Sequence, residues 1–269
     1  MAESDAAPAV PDQDHLVARL FFRAAFPVMK IVIAEDPAMA RSFAKVKARV
    51  RMCYLEGGVW EGVTLVFDEG RLDIVEELLE GPDITLSFKS VGKMNQMLRG
   101  GANLPAIKGL GKPGLLIKVL MLLMSLKLMM PSARPKDPER RRLKIKLALS
   151  MITTALSQYN KAGVEVMREW TSRQPDRVYQ FTVEPVEETR IAVWLRVKAG
   201  NTKAGRGIYT RRSPFVHFRF LSVDGAMAVL LKDVGFVEGV ERGCVSVEGS
   251  PEYAAQLNDH MAILQGMLT

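Results

Sequence analysis

One short pattern occurs twice in this chain and limits what the chain can fold into. A strand with alternating apolar residues stops at a serine and becomes a helix. The first copy is Ile84-Thr85-Leu86-Ser87-Phe88-Lys89-Ser90, followed by helical spacing through Leu98. The second is Val216-His217-Phe218-Arg219-Phe220-Leu221-Ser222, followed by helical spacing through Leu231. Ile84 and Val216 lie 132 positions apart, as do Ser90 and Ser222. Alternation puts Ile84, Leu86 and Phe88 on one face of a strand, and Val216, Phe218 and Phe220 on one face of another. Serine is a favoured helix N-cap, so each copy encodes its own strand-to-helix switch. An offset of about half of 269 residues implies two equivalent units rather than one large domain.

The residues around each copy fill out the same plan. Residues 15–33 read as a helix interrupted at Pro27, and Asp36-Pro37 as the cap and first turn of another that runs to about Lys47. Strands are expected at 49–55, around Val63, Leu65 and Phe67, and from Leu72, with Asp68-Glu69-Gly70 as the turn between the last two. Residues 115–130 form the most apolar run of the chain. Asp137-Pro138 opens a basic helix that turns apolar. Strands are then expected at 164–170, 178–183, 191–197 and 205–210, and a final helix begins at Ser250-Pro251 with Leu257, Met261, Leu264 and Met267 on one stripe. Each unit is therefore α+β, a mainly antiparallel sheet backed by helices. Residues 1–14 read as a disordered acidic tail without the basic start and apolar core of a signal peptide. The units are placed at residues 15–135 and 136–269.

At this point the residues resemble the sterol carrier protein 2 family, and the chain is similar to two tandem copies of its domain. The second copy matches best, because residues 216–220, the helix 223–231, the glycine-bounded strand Gly243-Cys244-Val245-Ser246-Val247-Glu248-Gly249 and a closing apolar helix follow the family's order. The first copy matches through Leu98 and then departs. Where the family has a regular strand, this chain has Lys108-Gly109-Leu110-Gly111-Lys112-Pro113, and proline removes a ladder donor, so that strand is expected to be short or absent. The resemblance implies an apolar tunnel for a sterol, fatty acid or acyl group. It also admits an accessory module whose pocket holds nothing.

The residues give a matching list of candidates. Walls of a first cavity would be Phe88, Met94, Met97, Leu98, Leu116, Val119, Leu120 and Leu123, and of a second, Phe218, Phe220, Met227, Leu230, Met261 and Leu264. The 115–130 helix leaves no single polar face. It is thus expected to be buried in a plain core or between units, to line or gate a lipid cavity, or to dock on a membrane, and with Lys118 and Lys127 inside it is too short and too charged to span one. Arg140, Arg141, Arg142 and Lys144 are either the solvated start of a helix or a contact for anionic headgroups.

Composition removes other classes. Charge is +7, but no basic patch is interleaved with aromatics, so nucleic acid is not an expected partner. Two cysteines in different halves make no disulfide framework, which fits a reducing, cytoplasmic setting. The three histidines are far apart, so no metal is expected, and no nucleophile elbow or phosphate loop is present, so neither an enzyme nor a cofactor is expected. The expected function is non-catalytic binding or transfer of an apolar lipid. The alternatives are a structural or interaction module with a filled core, and an accessory domain of an enzyme system.

Overall fold

The computed structural model describes residues 12–268. Most of the expected acidic tail lies outside these residues, and Gln13 and Asp14 already belong to α1 (Gln13–Leu20). The chain continues through a π turn (Phe21–Ala25) and a 3-10 turn holding Pro27 (Phe26–Val28) into α2 (Met29–Glu35). The interruption falls where proline lacks a donor. Asp36 then caps α3 (Pro37–Phe43), its Oδ1 accepting from Ala38 N at 2.8 Å and Met39 N at 3.1 Å.

Next come β1 (Lys47–Glu56), β2 (Val59–Asp68), β3 (Arg71–Val75), β4 (Ile84–Phe88), α4 (Val91–Leu98), β5 (Ala106–Lys108) and α5 (Pro113–Ser125), the last with a 3-10 tail (Leu126–Met129). The long α6 (Pro138–Lys161) and α7 (Glu165–Ser172) lead into β6 (Asp176–Val183), α8 (Val186–Thr189), β7 (Ala192–Lys198), β8 (Asn201–Arg206), β9 (Val216–Phe220), α9 (Val223–Leu230), α10 (Phe236–Glu241), β10 (Val245–Gly249) and α11 (Pro251–Leu268).

Two five-stranded sheets result, ordered β3-β2-β1-β4-β5 and β8-β7-β6-β9-β10. Their topologies are the same. In each, one central pair is parallel (β1 with β4, β6 with β9) and the other neighbours are antiparallel. The strand-to-helix switch has the same geometry twice. Ser90 Oγ accepts from Lys93 N at 3.3 Å and Ser222 Oγ from Gly225 N at 2.9 Å, with φ of −163° and −162° at the two serines. The repeat continues past the helices. Gly100 and Lys232, again 132 apart, both take left-handed φ, +91° and +59°. Gly109 and Gly249 close the edge strands at φ +93° and +101°, and a Cβ on either would fall about 2 Å from a backbone oxygen of the neighbouring strand, Asp83 or Phe215.

Several expectations are corrected. In place of the strand expected at 164–170, residues 165–172 form α7, with Met167 and Thr171, four apart, buried while Val166 faces solvent. The strand expected at 205–210 is β8, which begins at Asn201 after an Ala199-Gly200 turn and ends at Arg206. The helix expected to reach Lys47 stops at Phe43. β5 is present with three residues, and Pro113 sits in the first turn of α5, where its missing N–H costs nothing. α10 has no counterpart in the sequence reading.

Neither core is closed by its own half of the chain. The core under the first sheet takes Ala18 and Phe22 from the N-terminal helix and Leu143 and Leu147 from α6. The core under the second takes Leu16, Val17, Leu20 and Phe21 from that same helix, with Ile145, Leu149 and Leu156 of α6. These two helices present one face to each sheet and join the units through continuous apolar packing.

Candidate functional site

The second sheet carries an apolar pocket of about 240 Å³. Its floor is aromatic. Phe181 on β6 and Phe218 on β9 are register partners in the parallel pair, and their rings stack at 4.6 Å with an interplanar angle of 5°. Phe220 lies beside them, and Phe236 of α10 closes over Phe218 at 6.0 Å between centroids. The opposite wall is one face of α11, where Asn258, Met261, Ala262 and Gln265 follow the i, i+3, i+4, i+7 spacing. Val229 and Leu230 of α9 and Ile152 of α6 complete the apolar lining. A void of about 30 Å³ adjoins it through Ile152, Leu230 and Gln265, and is lined by Leu264, Met151 and Lys144.

Polar groups stand at Lys232, Asn258 and Gln265, whose Nε2 donates to Leu230 O at 3.2 Å. Lys232 is exposed, and among the described lining residues it is the only titratable one. Its left-handed backbone is uncommon for a residue with a Cβ and closes α9, as that of Gly100 closes α4. The pocket can hold an apolar chain by burial and meet a negatively charged end at its mouth.

The pocket depends on an insertion. The copies keep an offset of 132 through Lys232, but Gly249 lies 140 positions after Gly109. The eight extra residues fall between α9 and β10, where Val234, Gly235 and Phe236 line the pocket.

The expected second-cavity residues Phe218, Phe220, Leu230 and Met261 meet in this pocket, and Leu264 lines the adjoining void. Met227 is half-buried against the core outside it. The expected first-cavity residues do not surround a comparable space. Phe88, Met94 and Val119 are buried in a core filled by Phe26, Met29, Phe43 and Met52, and Met97, Leu98, Leu116 and Leu123 pack against that core. Leu120 faces solvent. The lining residues Phe181, Val229, Lys232, Val234, Phe236, Asn258, Ala262 and Gln265 were not among the sequence candidates, although the change of offset from 132 to 140 marks the segment that holds Val234 and Phe236.

The basic cluster is also redistributed. Lys144 is buried (1% exposed), and its Nζ donates to Leu128 O at 2.8 Å and Met130 O at 2.7 Å, so it cannot meet a headgroup. Burial, with a smaller contribution from Arg134, pushes its pKa down to about 8. Arg141 pairs with Asp224 at 2.6 Å, and Arg142 with Glu139 at 3.0 Å and Glu35 at 3.3 Å. Arg140 remains exposed.

Among the described residues, no group of three or more His, Cys, Asp or Glu is arranged to hold a metal ion, and no helix is long and apolar enough to cross a membrane. No family model matches the chain, and no curated protein matches it in sequence. Solved structures give partial likenesses. A double mutant of the sec-alkyl sulfatase PisA1 aligns at 14% identity and TM-score 0.32, over 54% of this chain and 21% of that one. Sterol carrier protein 2 like 2 from Aedes aegypti aligns at 17% identity and TM-score 0.28, over 43% of this chain and 97% of that one. The inverting sec-alkylsulfatase Pisa1 from Pseudomonas sp. aligns at 11% identity and TM-score 0.27, over 62% of this chain and 31% of that one. At these TM-scores, function has to be read from the site's own chemistry.

Proposed function

We propose that the second unit binds the apolar chain of a fatty-acid-like ligand without catalysing a reaction, and that the ligand's anionic end lies at Lys232. The observation that carries this reading is a phenylalanine-walled pocket whose single titratable lining residue is a lysine at the mouth. One titratable group offers no acid–base pair for catalysis. Volume narrows the ligand. A methylene group occupies about as much space as a water molecule, roughly 30 Å³, so 240 Å³ takes a chain of about eight carbons, too few for a sterol nucleus. The filled core of the first unit favours a structural role for that half.

Native mass spectrometry with saturated fatty acids of increasing length tests the reading. Affinity is expected to rise with each carbon to about eight and then level, and cholesterol is expected not to bind. Ala262→Phe, which fills the pocket from α11, should abolish binding while leaving the melting temperature near that of the parent. Absence of binding at every chain length, or binding unchanged by Ala262→Phe, would sink the proposal.

A further inference from the structure

The most apolar helix of the chain is not buried. α5 turns Val119 and Leu122 into the first core, and Leu115, Leu116 and Leu123 pack against it. Its other side presents Ile117, Leu120, Met121 and Met124 at i, i+3, i+4 and i+7, each between 37% and 60% exposed. Leu104 and Leu110, on the segment leading into α5, are also exposed. At 100° per residue, Lys118 borders this stripe on one side and Lys127 on the other. Long lysine stems can lie along an apolar surface while their ammonium groups stay in water.

Charge distribution says what covers the stripe. From Ile84 to Lys136 there is no Asp or Glu, whereas nine of the 37 Lys and Arg fall there. The remaining residues carry 28 basic against 30 acidic side chains, so this segment holds +9 while the rest of the chain holds −2. Lys112 pairs with Asp83 and Arg134 with Asp233, while Arg99 donates to Met267 O at 2.6 Å. Lys89, Lys93, Lys108, Lys118, Lys127 and Lys136 form no ion pair among the described residues. Beside the stripe, a groove of about 430 Å³ between α2, α3, α5 and α6 combines Met39, Met121, Met124 and Leu143 with Arg140 and Lys127. Its one acid, Asp36, is occupied by the α3 cap.

We infer that α5 is a peripheral docking surface for an anionic lipid bilayer. The Ile117–Met124 stripe enters the headgroup boundary, and Lys118, Lys127 and Arg140, which border it, meet the lipid phosphates. An apolar helix face bordered by cations, on a segment without carboxylates, matches a surface that is apolar beneath and negative above. A second copy of this chain docked on the same face would bring Lys118, Lys127 and Arg140 against their own counterparts.

The test is co-sedimentation of the full chain with vesicles of phosphatidylcholine alone, or of phosphatidylcholine and phosphatidylglycerol in equal parts. Binding to the mixed vesicles is expected to exceed binding to the neutral ones at least about tenfold and to fall as salt is raised. The triple change Ile117→Gln, Met121→Gln and Met124→Gln alters only exposed side chains and keeps good helix formers in α5. It should lower binding to the mixed vesicles at least about tenfold with an unchanged circular dichroism spectrum and melting temperature. The inference is overturned if the parent ignores both vesicles or if the variant binds like the parent. It is also overturned if the parent is a dimer that the variant dissociates and neither sediments.

Discussion

Lys232 separates backbone strain from ligand contact, because replacing it with glycine moves stability and affinity in opposite directions. Its φ of +59° is the left-handed conformation that the first copy gives to Gly100. A side chain there costs about 1–2 kcal/mol. Glycine removes that cost but gives back about 0.4–1 kcal/mol through the freer unfolded chain. The helix-closing bonds, Lys232 N to Val229 O at 3.1 Å and Asp233 N to Ala228 O at 2.9 Å, are main-chain and survive the change. Lys232→Gly is therefore expected to stabilise the protein by about 0.5–1 kcal/mol, a rise of roughly 1–4 °C in melting temperature for a chain of this size. The same change removes an exposed charge from the pocket mouth, worth about 0.2–1 kcal/mol to an anionic ligand, so octanoate affinity should fall up to about fivefold. Lys232→Gln keeps the strain and loses the charge, and should show the affinity loss without the stability gain. Calorimetric melting and titration of octanoate by isothermal calorimetry read both quantities. A glycine variant less stable than its parent would refute the strain argument, and unchanged octanoate affinity in both variants would remove the headgroup from Lys232.

Two further outcomes follow from single residues. Lys144, buried with its pKa pushed down to about 8 from 10.5, holds its proton more weakly folded than unfolded. Stability is thus expected to rise by about 1–2 kcal/mol as pH goes from 8 to 9.5, and urea titrations of Lys144→Met should lose that slope. At Gly249 a Cβ would sit 2.1 Å from Phe215 O, so Gly249→Ala is expected to cost about 3 kcal/mol or more. Gly207→Ala, at a similar φ of +88° but facing open space, should cost only the conformational part, about 1–2 kcal/mol, and equal losses by urea denaturation would discount the clash.

What the sequence disclosed was mostly local. Ser90, Ser222, Asp36 and Asp137 cap helices where their spacing placed them, since a cap needs only its own next three residues. Alternation gave β4 and β9 with the correct inward faces, Phe88, Phe218 and Phe220 being buried. Long-range facts were hidden. Nothing near Lys144 reveals that it satisfies the carbonyls of Leu128 and Met130, because those acceptors are freed by the 3-10 end of another element. Nor does the apolarity of residues 115–130 say which side faces the core. An all-round apolar helix reads as buried, whereas here the first core is already filled from α1, α2 and α3 and leaves one side of α5 unused.

The two closing helices show how one plan supports different uses. α5 and α11 each follow the edge strand and its left-handed glycine, Gly109 or Gly249. On α11 the residues at i, i+3, i+4 and i+7 from Asn258 face inward, because the insertion carrying α10 holds Phe236 over the floor and leaves a void for them to line. On α5 the same spacing from Ile117 faces outward, because no insertion separates α4 from β5 and the interior has no room left. In the second unit a chain within the pocket can cover the apolar face of the closing helix, whereas in the first that face is turned to solvent. Deleting the eight-residue insertion should therefore close the second pocket without disturbing vesicle docking, since the α5 stripe, Lys118, Lys127 and Arg140 all lie outside it.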